Sequence, residues 1–246
     1  MTTLVVGASG ATGSKLVEQL LNNKQKVKVV VRSVNKLPED WKNNDWLTII
    51  EGSVLEISEE DMAVHLKDCD AVASCLGHNM NLKGIFGAPQ KLVTDAVRLL
   101  CNAIKKNTVD KPIKFVLMNT TGNQNRDLDE PISFGQKLVI GLLRLILPPH
   151  VDNEKAADYL RVNIGQKDSA IEWVAVRPDG LINEATVSEY ELHASPTRSA
   201  IFDAGKISRI NVGHFMAALI TDNALWDKWK GQMPVVYNKS SQKDNS

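Results

Sequence analysis

Residues 2–21 read TTLVVGASGATGSKLVEQLL and contain three glycines spaced three apart, Gly7, Gly10 and Gly13. An apolar, β-branched run precedes the glycines and apolar residues at helical spacing follow them, which predicts a strand, a tight turn and a helix. Glycine permits a positive φ and close approach to the backbone, and the first turn of a helix offers unpaired N–H groups. This context favours a phosphate-binding loop over a plain strand–helix turn.

The same alternation of short apolar runs and helical patterns continues along the chain. Strands are predicted at 3–8, 26–33, 46–53, 70–77, 112–122, 171–181 and 233–238. Helices are predicted at 11–21, 58–69, 89–107, 153–168 and 211–222, with Ser58 and Pro89 near two of the starts. Continuous apolar strands that alternate with helices predict an α/β fold, a doubly wound parallel sheet with helices on both faces.

Length and composition limit the classes of protein to be considered. The 246 residues suit one large domain, expected over 1–238 with a small C-terminal substrate-side region and a flexible tail at 239–246. The 29 basic and 29 acidic residues argue against a nucleic-acid partner. The sequence contains no apolar run of about 18 residues, so no transmembrane segment is predicted. Three scattered cysteines, without metal-type spacing, are typical of a reducing compartment, so we expect a cytoplasmic protein without a metal.

Residues 137–149, KLVIGLLRLILPP, form an intensely apolar segment with Arg144 near its middle. Apolar runs usually lie in a protein core, so the favoured interpretation is a core-packed helix ended by Pro148 and Pro149. Alternatives are a lid over a pocket, a helix on a membrane surface, or an interface through 138–147 with a second copy or a partner protein.

The end of the second strand carries information about the nucleotide. An NAD-binding strand usually ends in an acid that accepts from the ribose 2′-hydroxyl, whereas this one reads VVVRS and ends in Arg32 and Ser33. A guanidinium and a hydroxyl suit a 2′-phosphate, and Lys36 adds positive charge nearby. The pattern favours NADP(H) over NAD(H), although a solvated strand-end arginine would give the same sequence.

Five segments together resemble the atypical short-chain dehydrogenase/reductase superfamily: GASGATG at 7–13, VVVRS at 29–33, SCLG at 74–77, NTTG at 119–122 and VRPDGL at 176–181. The resemblance runs from Thr2 to about Tyr237. It is strongest to the NAD(P)H-binding branch with NmrA-like proteins and biliverdin reductase B/flavin reductase. It implies a Rossmann-type sheet with the cofactor laid across its carboxyl edge.

The resemblance also implies a set of cofactor contacts. The pyrophosphate would meet Gly7, Ser9, Gly10, Ala11, Thr12 and Gly13, and the 2′-phosphate would meet Arg32 and Ser33. The adenine would meet Gly52, Ser53 and Val54, although many relatives have Asp where Ser53 stands. The nicotinamide end would meet Cys75, Leu76, Gly77, Thr120, Thr121, Arg177 and Pro178, with Gly180 in the same loop.

One departure from the family pattern concerns the catalytic pair. Ordinary members carry Tyr-x-x-x-Lys, in which the tyrosine passes a proton to the substrate oxygen. The residues four positions after Tyr159, Tyr190 and Tyr237 are Asn, Ala and Ser respectively, so no such pair exists here. Alcohol–ketone interconversion by that mechanism is therefore not expected.

Three residues are candidates to replace the pair. Lys155 lies about where relatives place it, although it also fits the exposed face of an amphipathic helix. His78 directly follows SCLG, and Thr121 occupies the region of the superfamily's catalytic hydroxyl; each fits an ordinary loop or cofactor-binding role equally well. Cys75 is interpreted as a small buried residue rather than a reactive thiol.

Two functions follow from these residues. The first is an NADP(H)-dependent reductase that transfers hydride directly to a conjugated small-molecule acceptor, such as a flavin, quinone or tetrapyrrole, with the proton supplied by solvent. The alternative is a non-catalytic, NmrA-like regulator that senses NADP(H). A sugar-nucleotide epimerase or dehydratase is disfavoured by the missing tyrosine and the short region after VRP.

Overall fold

Seven parallel strands form the centre of the described part of the molecule, which in the computed structural model comprises residues 1–78 and 87–239. The strands are β1 Thr2–Val6, β2 Lys26–Val31, β3 Leu47–Glu51, β4 Ala71–Ser74, β5 Ile113–Met118, β6 Ile171–Pro178, β7 Gly180–Ile182, β8 Tyr190–His193, β9 Lys206–Ser208 and β10 Val235–Asn238. The helices are α1 Gly13–Asn22, α2 Glu39–Lys42, α3 Glu59–Leu66, α4 Leu92–Lys106, α5 Phe134–Ile146, α6 Pro148–Asp158, α7 Arg209–Thr221 and α8 Asn223–Trp229.

The main sheet has the strand order β3-β2-β1-β4-β5-β6-β10-β8. All neighbouring strands run parallel except β8, which pairs antiparallel with β10 at the edge. The chain adds strands in one direction from β1 to β3 and in the other direction from β4 to β6, so the strand order reverses between β1 and β4. Ligands bind at this switch point in open α/β sheets. The predicted doubly wound, Rossmann-type α/β fold is confirmed, with β8 as an antiparallel addition.

Apolar cores fill both sides of the sheet because successive strand residues face opposite sides. On one side, α3, α4 and α6 pack against Leu4 and Val6. On the other, α1, α7 and α8 pack against Val5. At the α1–α7 contact, a Cβ on Gly213 would stand 2.8 Å from Leu16 N, so only glycine lets the two helices approach this closely.

Local signals placed the helices to within a few residues. Ser58 Oγ accepts a hydrogen bond from Asp61 N at 3.0 Å, which confirms it as the cap of α3. The predicted helix 89–107 begins only at Leu92, three residues after Pro89. The predicted helix 153–168 begins earlier, at Pro148, and continues after Asp158 as a π-helical turn over Tyr159–Ile164.

The interpretation of 137–149 as a core-packed helix is wrong. Only Gln136 and Ile140 of α5 are buried, because α5 packs against α6 along one side and leaves most of its apolar residues exposed or partly exposed. The prolines do not simply end it; they form the first turn of α6, where the missing proline N–H costs nothing. The exposed apolar residues are Phe134, Leu138, Leu142, Leu145 and Ile146.

Some elements had no clear sequence signal. The short strands β7 and β9 pair parallel in a separate ribbon, and α8 and β8 were also not predicted. The expected tail lies outside the described residues apart from Lys239. Within 1–78 and 87–239, no helix has the length and apolar character needed to cross a membrane.

Candidate functional site

The glycine loop lies between β1 and α1 and is held in one conformation by close backbone contacts. Gly7 has a φ of +78°, and a Cβ there would stand 2.6 Å from the carbonyl carbon and oxygen of Cys75. A Cβ on Gly13 would overlap the Gly7 backbone, including its carbonyl carbon at 2.9 Å. Both glycines are therefore required by the fold of the loop itself.

The tip of this loop is open to solvent at the start of α1. Ser9, Gly10 and Ala11 are exposed. Gly10 N donates to Gly7 O at 3.0 Å, and the Thr12 side chain makes no capping hydrogen bond to α1. The exposed tip thus lies at the amino-terminal, positive end of α1, where an anion is favoured.

The ends of β2 and β3 lie next to each other on the same edge, with Val31 opposite Glu51. Arg32 is exposed and forms no ion pair within the described part of the chain. Glu51 accepts a hydrogen bond from Val34 N at 3.2 Å. It lies opposite Val31, the residue that precedes Arg32. A cavity of about 430 Å³ borders this region and is lined in part by Gly52 and Ser53.

The segment after β4 runs beside the glycine loop. Cys75 is buried, and its Sγ lies 3.9 Å from Met216 Sδ on α7. Burial raises the pKa of the Cys75 thiol to about 12, so the side chain stays a neutral thiol at physiological pH. Gly77 is exposed, with no atom within 4 Å of the position a Cβ would take. The Cys75 sulfur therefore packs toward α7, and Gly77 is the exposed part of this segment.

Thr120 and Thr121 follow β5, and the structure gives them different partners. Thr121 Oγ1 donates to Asp179 Oδ1 at 3.0 Å, while Gly205 N donates to the other oxygen at 2.8 Å. Burial of Asp179 raises the pKa of its carboxyl group, although the hydrogen bonds oppose the shift. Thr120 Oγ1 accepts a hydrogen bond from Gly122 N at 3.3 Å. Thr121 thus joins the ends of β5 and β6, whereas Thr120 is partly exposed.

Arg177 is fully buried and occupies all sides of its guanidinium with protein groups. It donates to both oxygens of Glu130, at 3.0 and 2.6 Å, and to the carbonyls of Met233, Asn123 and Ala194. The side chain expected to face the cofactor instead fixes the 123–130 segment to the end of β6. A backbone contact through Pro178 is unaffected by this finding.

The candidates His78 and Lys155 lie in separate surroundings. His78 Nε2 lies 2.7 Å from Asp152 Oδ2, and the same carboxylate accepts from Val93 N and Thr94 N at the start of α4. Lys155 is exposed and lines a surface groove with Thr94. No hydrogen bond joins His78, Lys155 and Thr121 to one another in the described part of the chain.

A cluster that sequence reasoning missed lies where β5 ends. Glu154 on α6 is buried and receives three guanidinium hydrogen bonds from Arg144 on α5, at 2.8 to 3.1 Å. His150, one turn earlier, has Nε2 3.5 Å from Glu154 Oε1. Burial works to raise the pKa of Glu154, but the neighbouring imidazole and guanidinium outweigh it and lower that pKa to about 2. Glu154 is therefore a carboxylate at neutral pH.

A cavity of about 270 Å³ adjoins this cluster. It lies beside the segment that follows β5 and beneath α5. Its lining includes two cationic side chains, and the lining residues are Gly122, Gln124, Ile132, Lys137, Ile140, Arg144 and Glu154.

The family model described as NAD(P)H-binding matches residues 7–223, a span that begins at the first glycine of the loop. The chain belongs to this NAD(P)H-binding family. The resemblance drawn from the five sequence segments is confirmed at this level. An uncharacterised chloroplastic protein of Arabidopsis thaliana is 31% identical over 180 residues, covering 73% of this chain but only 59% of the relative's length.

Solved structures agree on the fold. The anaerobillin reductase ChuY from Escherichia coli O157:H7 has a TM-score of 0.68 and 15% identity, covering 99% of this chain and 100% of its own. A wide-type short-chain dehydrogenase/reductase from Veillonella parvula, in complex with NADP, has a TM-score of 0.68 and 16% identity, covering 100% and 98%. At such identities the likeness is one of fold alone.

Proposed function

We propose that this protein is an NADP(H)-dependent reductase that transfers hydride directly to a conjugated small-molecule acceptor, such as a flavin, quinone or tetrapyrrole. The observation that carries the proposal is the glycine loop. Its close contacts at Gly7 and Gly13 fix the loop at the start of α1, and its tip at residues 9–11 is exposed. When bound there, NADPH supplies the hydride.

The chain's own residues fit such a cofactor from end to end. The α1 amides would hold the pyrophosphate, Arg32 and Ser33 the 2′-phosphate, and Gly52, Ser53 and Val54 the adenine. The 75–77 backbone, Thr120 and Pro178 would line the nicotinamide side. The cavity that Gly122 and Glu154 line is the proposed acceptor site, and it lies beside the end of β5. The NADP complex of the Veillonella relative and the reductase activity in the ChuY name are in line with this proposal.

Cofactor choice is tested by calorimetry with NADPH and NADH on the wild type, Arg32→Ala and Glu51→Gln. Loss of a charge-assisted phosphate contact in Arg32→Ala weakens NADPH binding roughly 10- to 100-fold and NADH binding little. Glu51→Gln is the matched variant, since removing a carboxylate beside the 2′-phosphate strengthens NADPH binding or leaves it unchanged. Equal losses for both nucleotides in Arg32→Ala would remove the argument for NADP(H).

Turnover is tested with NADPH and an acceptor panel of FMN, menadione and biliverdin, followed by NADPH absorbance. We expect oxidation with at least one acceptor. Tight NADPH binding without turnover on any of them would contradict the reductase proposal.

The second candidate is a non-catalytic regulator whose partner surface responds to NADP(H). The exposed apolar side of α5, from Phe134 to Ile146, favours it because soluble monomers seldom leave so many large apolar residues on one helix in water. A regulator would bind NADPH and NADP⁺ with different affinities and turn over no acceptor.

A further inference from the structure

We propose that His150 is the proton donor of this site and that Glu154, fixed by Arg144, is its positioning residue. This deepens the proposed function, on which it rests. The sequence lacks the tyrosine–lysine pair, which had left solvent as the expected proton source. The structure instead places a buried imidazole next to Gly122 and Glu154, which line the proposed acceptor cavity.

The first support is where the imidazole lies. A Cβ built on Gly122 would stand 3.5 Å from His150 Cε1, 3.8 Å from Nδ1 and 3.7 Å from Thr120 Oγ1. The imidazole edge and the Thr120 hydroxyl therefore converge on one point at the end of β5. Gly122 leaves that point free of a side chain, and the same residue lines the 270 Å³ cavity.

The second support is the unmet hydrogen-bonding capacity of the ring. The side chain of His150 is 8% exposed, and Nε2 is buried without a hydrogen bond in the described part of the molecule. A buried polar atom without a partner is unusual and costly for a residue that serves packing alone. The charged atom that faces it is Glu154 Oε1, 3.5 Å from Nε2.

The third support is the charge arrangement around the ring. Glu154 lies on the same helix, while Arg144 and Lys137 reach the cavity from α5 and Thr120 lies on the β5 side. Arg144 holds Glu154 through three hydrogen bonds, which fixes the carboxylate on the Nε2 side of the ring. Asp152, on the same helix as His150, is bonded to His78 instead.

These positions define the proton step. As the acceptor gains the hydride's two electrons, the His150 Nδ1–H bond breaks and the proton goes to the acceptor atom where negative charge collects. The electron pair of that bond stays on the ring, which becomes neutral, and solvent reprotonates it after product leaves. One hydride and one proton thus reduce the acceptor by two electrons.

The test uses the full chain with whichever acceptor of the panel the wild type reduces. His150→Gln lowers kcat at neutral pH roughly 100-fold or more, with NADPH affinity unchanged within about twofold. Wild-type kcat depends on pH because the step consumes a proton, whereas the His150→Gln profile is flat. In Glu154→Gln kcat falls while NADPH affinity stays unchanged, because the carboxylate that positions the ring is gone. Added imidazole partly restores His150→Ala.

A measurement without turnover accompanies the kinetics. The imidazole NMR signal of His150, assigned by its absence in His150→Gln, moves when NADP⁺ is added. If the wild type turns over but His150→Gln keeps its kcat and pH profile, this inference alone fails. Loss of rate that is equal at every pH, without imidazole rescue or an NMR response, overturns it too. If the wild type reduces no acceptor, the proposed function fails and takes this inference with it.

Discussion

Replacing Glu130 by Gln should be among the most destabilising single changes in this protein. Arg177 is completely buried and Glu130 is 2% exposed at the side chain, and their two hydrogen bonds measure 3.0 and 2.6 Å. Glu130 Oε2 also accepts from Asn125 N at 2.8 Å. The amide of Gln keeps one acceptor oxygen but turns an NH₂ group toward donors, and it leaves a guanidinium buried without a counter-charge.

Breaking such a buried pair from one side costs about 3–5 kcal/mol, a large part of a typical stability of about 5–15 kcal/mol. Urea unfolding followed by tryptophan fluorescence measures the loss. Glu39→Gln, whose partner is Lys42 on the surface, is the control and should show no measurable change. The double variant Glu130→Leu/Arg177→Met should lose less than Glu130→Gln. A loss below about 1 kcal/mol in Glu130→Gln would refute the reasoning.

Three further outcomes can be checked directly. Gly13→Ala should lower the melting temperature because its Cβ overlaps the Gly7 backbone. Gly10→Ala, whose Cβ would stand 3.1 Å from Gly7 O, should chiefly weaken NADPH binding, whereas Gly141→Ala, with open space around it, should do neither. Because the pKa of Glu154 is about 2 against an ordinary 4.5, its stabilisation is complete above about pH 5 and disappears as pH falls toward 2. Acid unfolding of Glu154→Gln should therefore be less steep in that window; an unchanged pH dependence would count against it. Cys75 in the native protein should resist alkylation at pH 8, and rapid labelling would contradict its burial.

Sequence patterns predicted the sheet well because its strands are continuous apolar runs whose burial does not depend on distant detail. The loop at Gly7 and Gly13 and the cap at Ser58 were also readable, since each is a local requirement of the backbone. The strands β7, β8 and β9 were not, because each is three or four residues long and is fixed by pairing with distant segments.

The site was predictable in part only. The family pattern predicts a tyrosine with a lysine four residues later, whereas α6 carries His150 and Glu154 at that spacing. Residues 150–154, HVDNE, contain this histidine and glutamate. The sequence did not show that α6 begins at Pro148 and therefore carries both residues. The resemblance likewise predicts a cofactor contact for the Arg177 side chain. Only the tertiary structure shows that Glu130, 47 residues away in sequence, lies against its guanidinium.

The contact between Gly213 and Leu16 also bears on how the chain is made. The glycine loop and α1 are synthesised well before α7, the helix against which α1 packs. Until α7 is released, the apolar flank of α1 has no cover. Truncations before Gly213 should therefore yield aggregation-prone fragments rather than a working amino-terminal half, and circular permutation that brings the two helices together in sequence should speed folding.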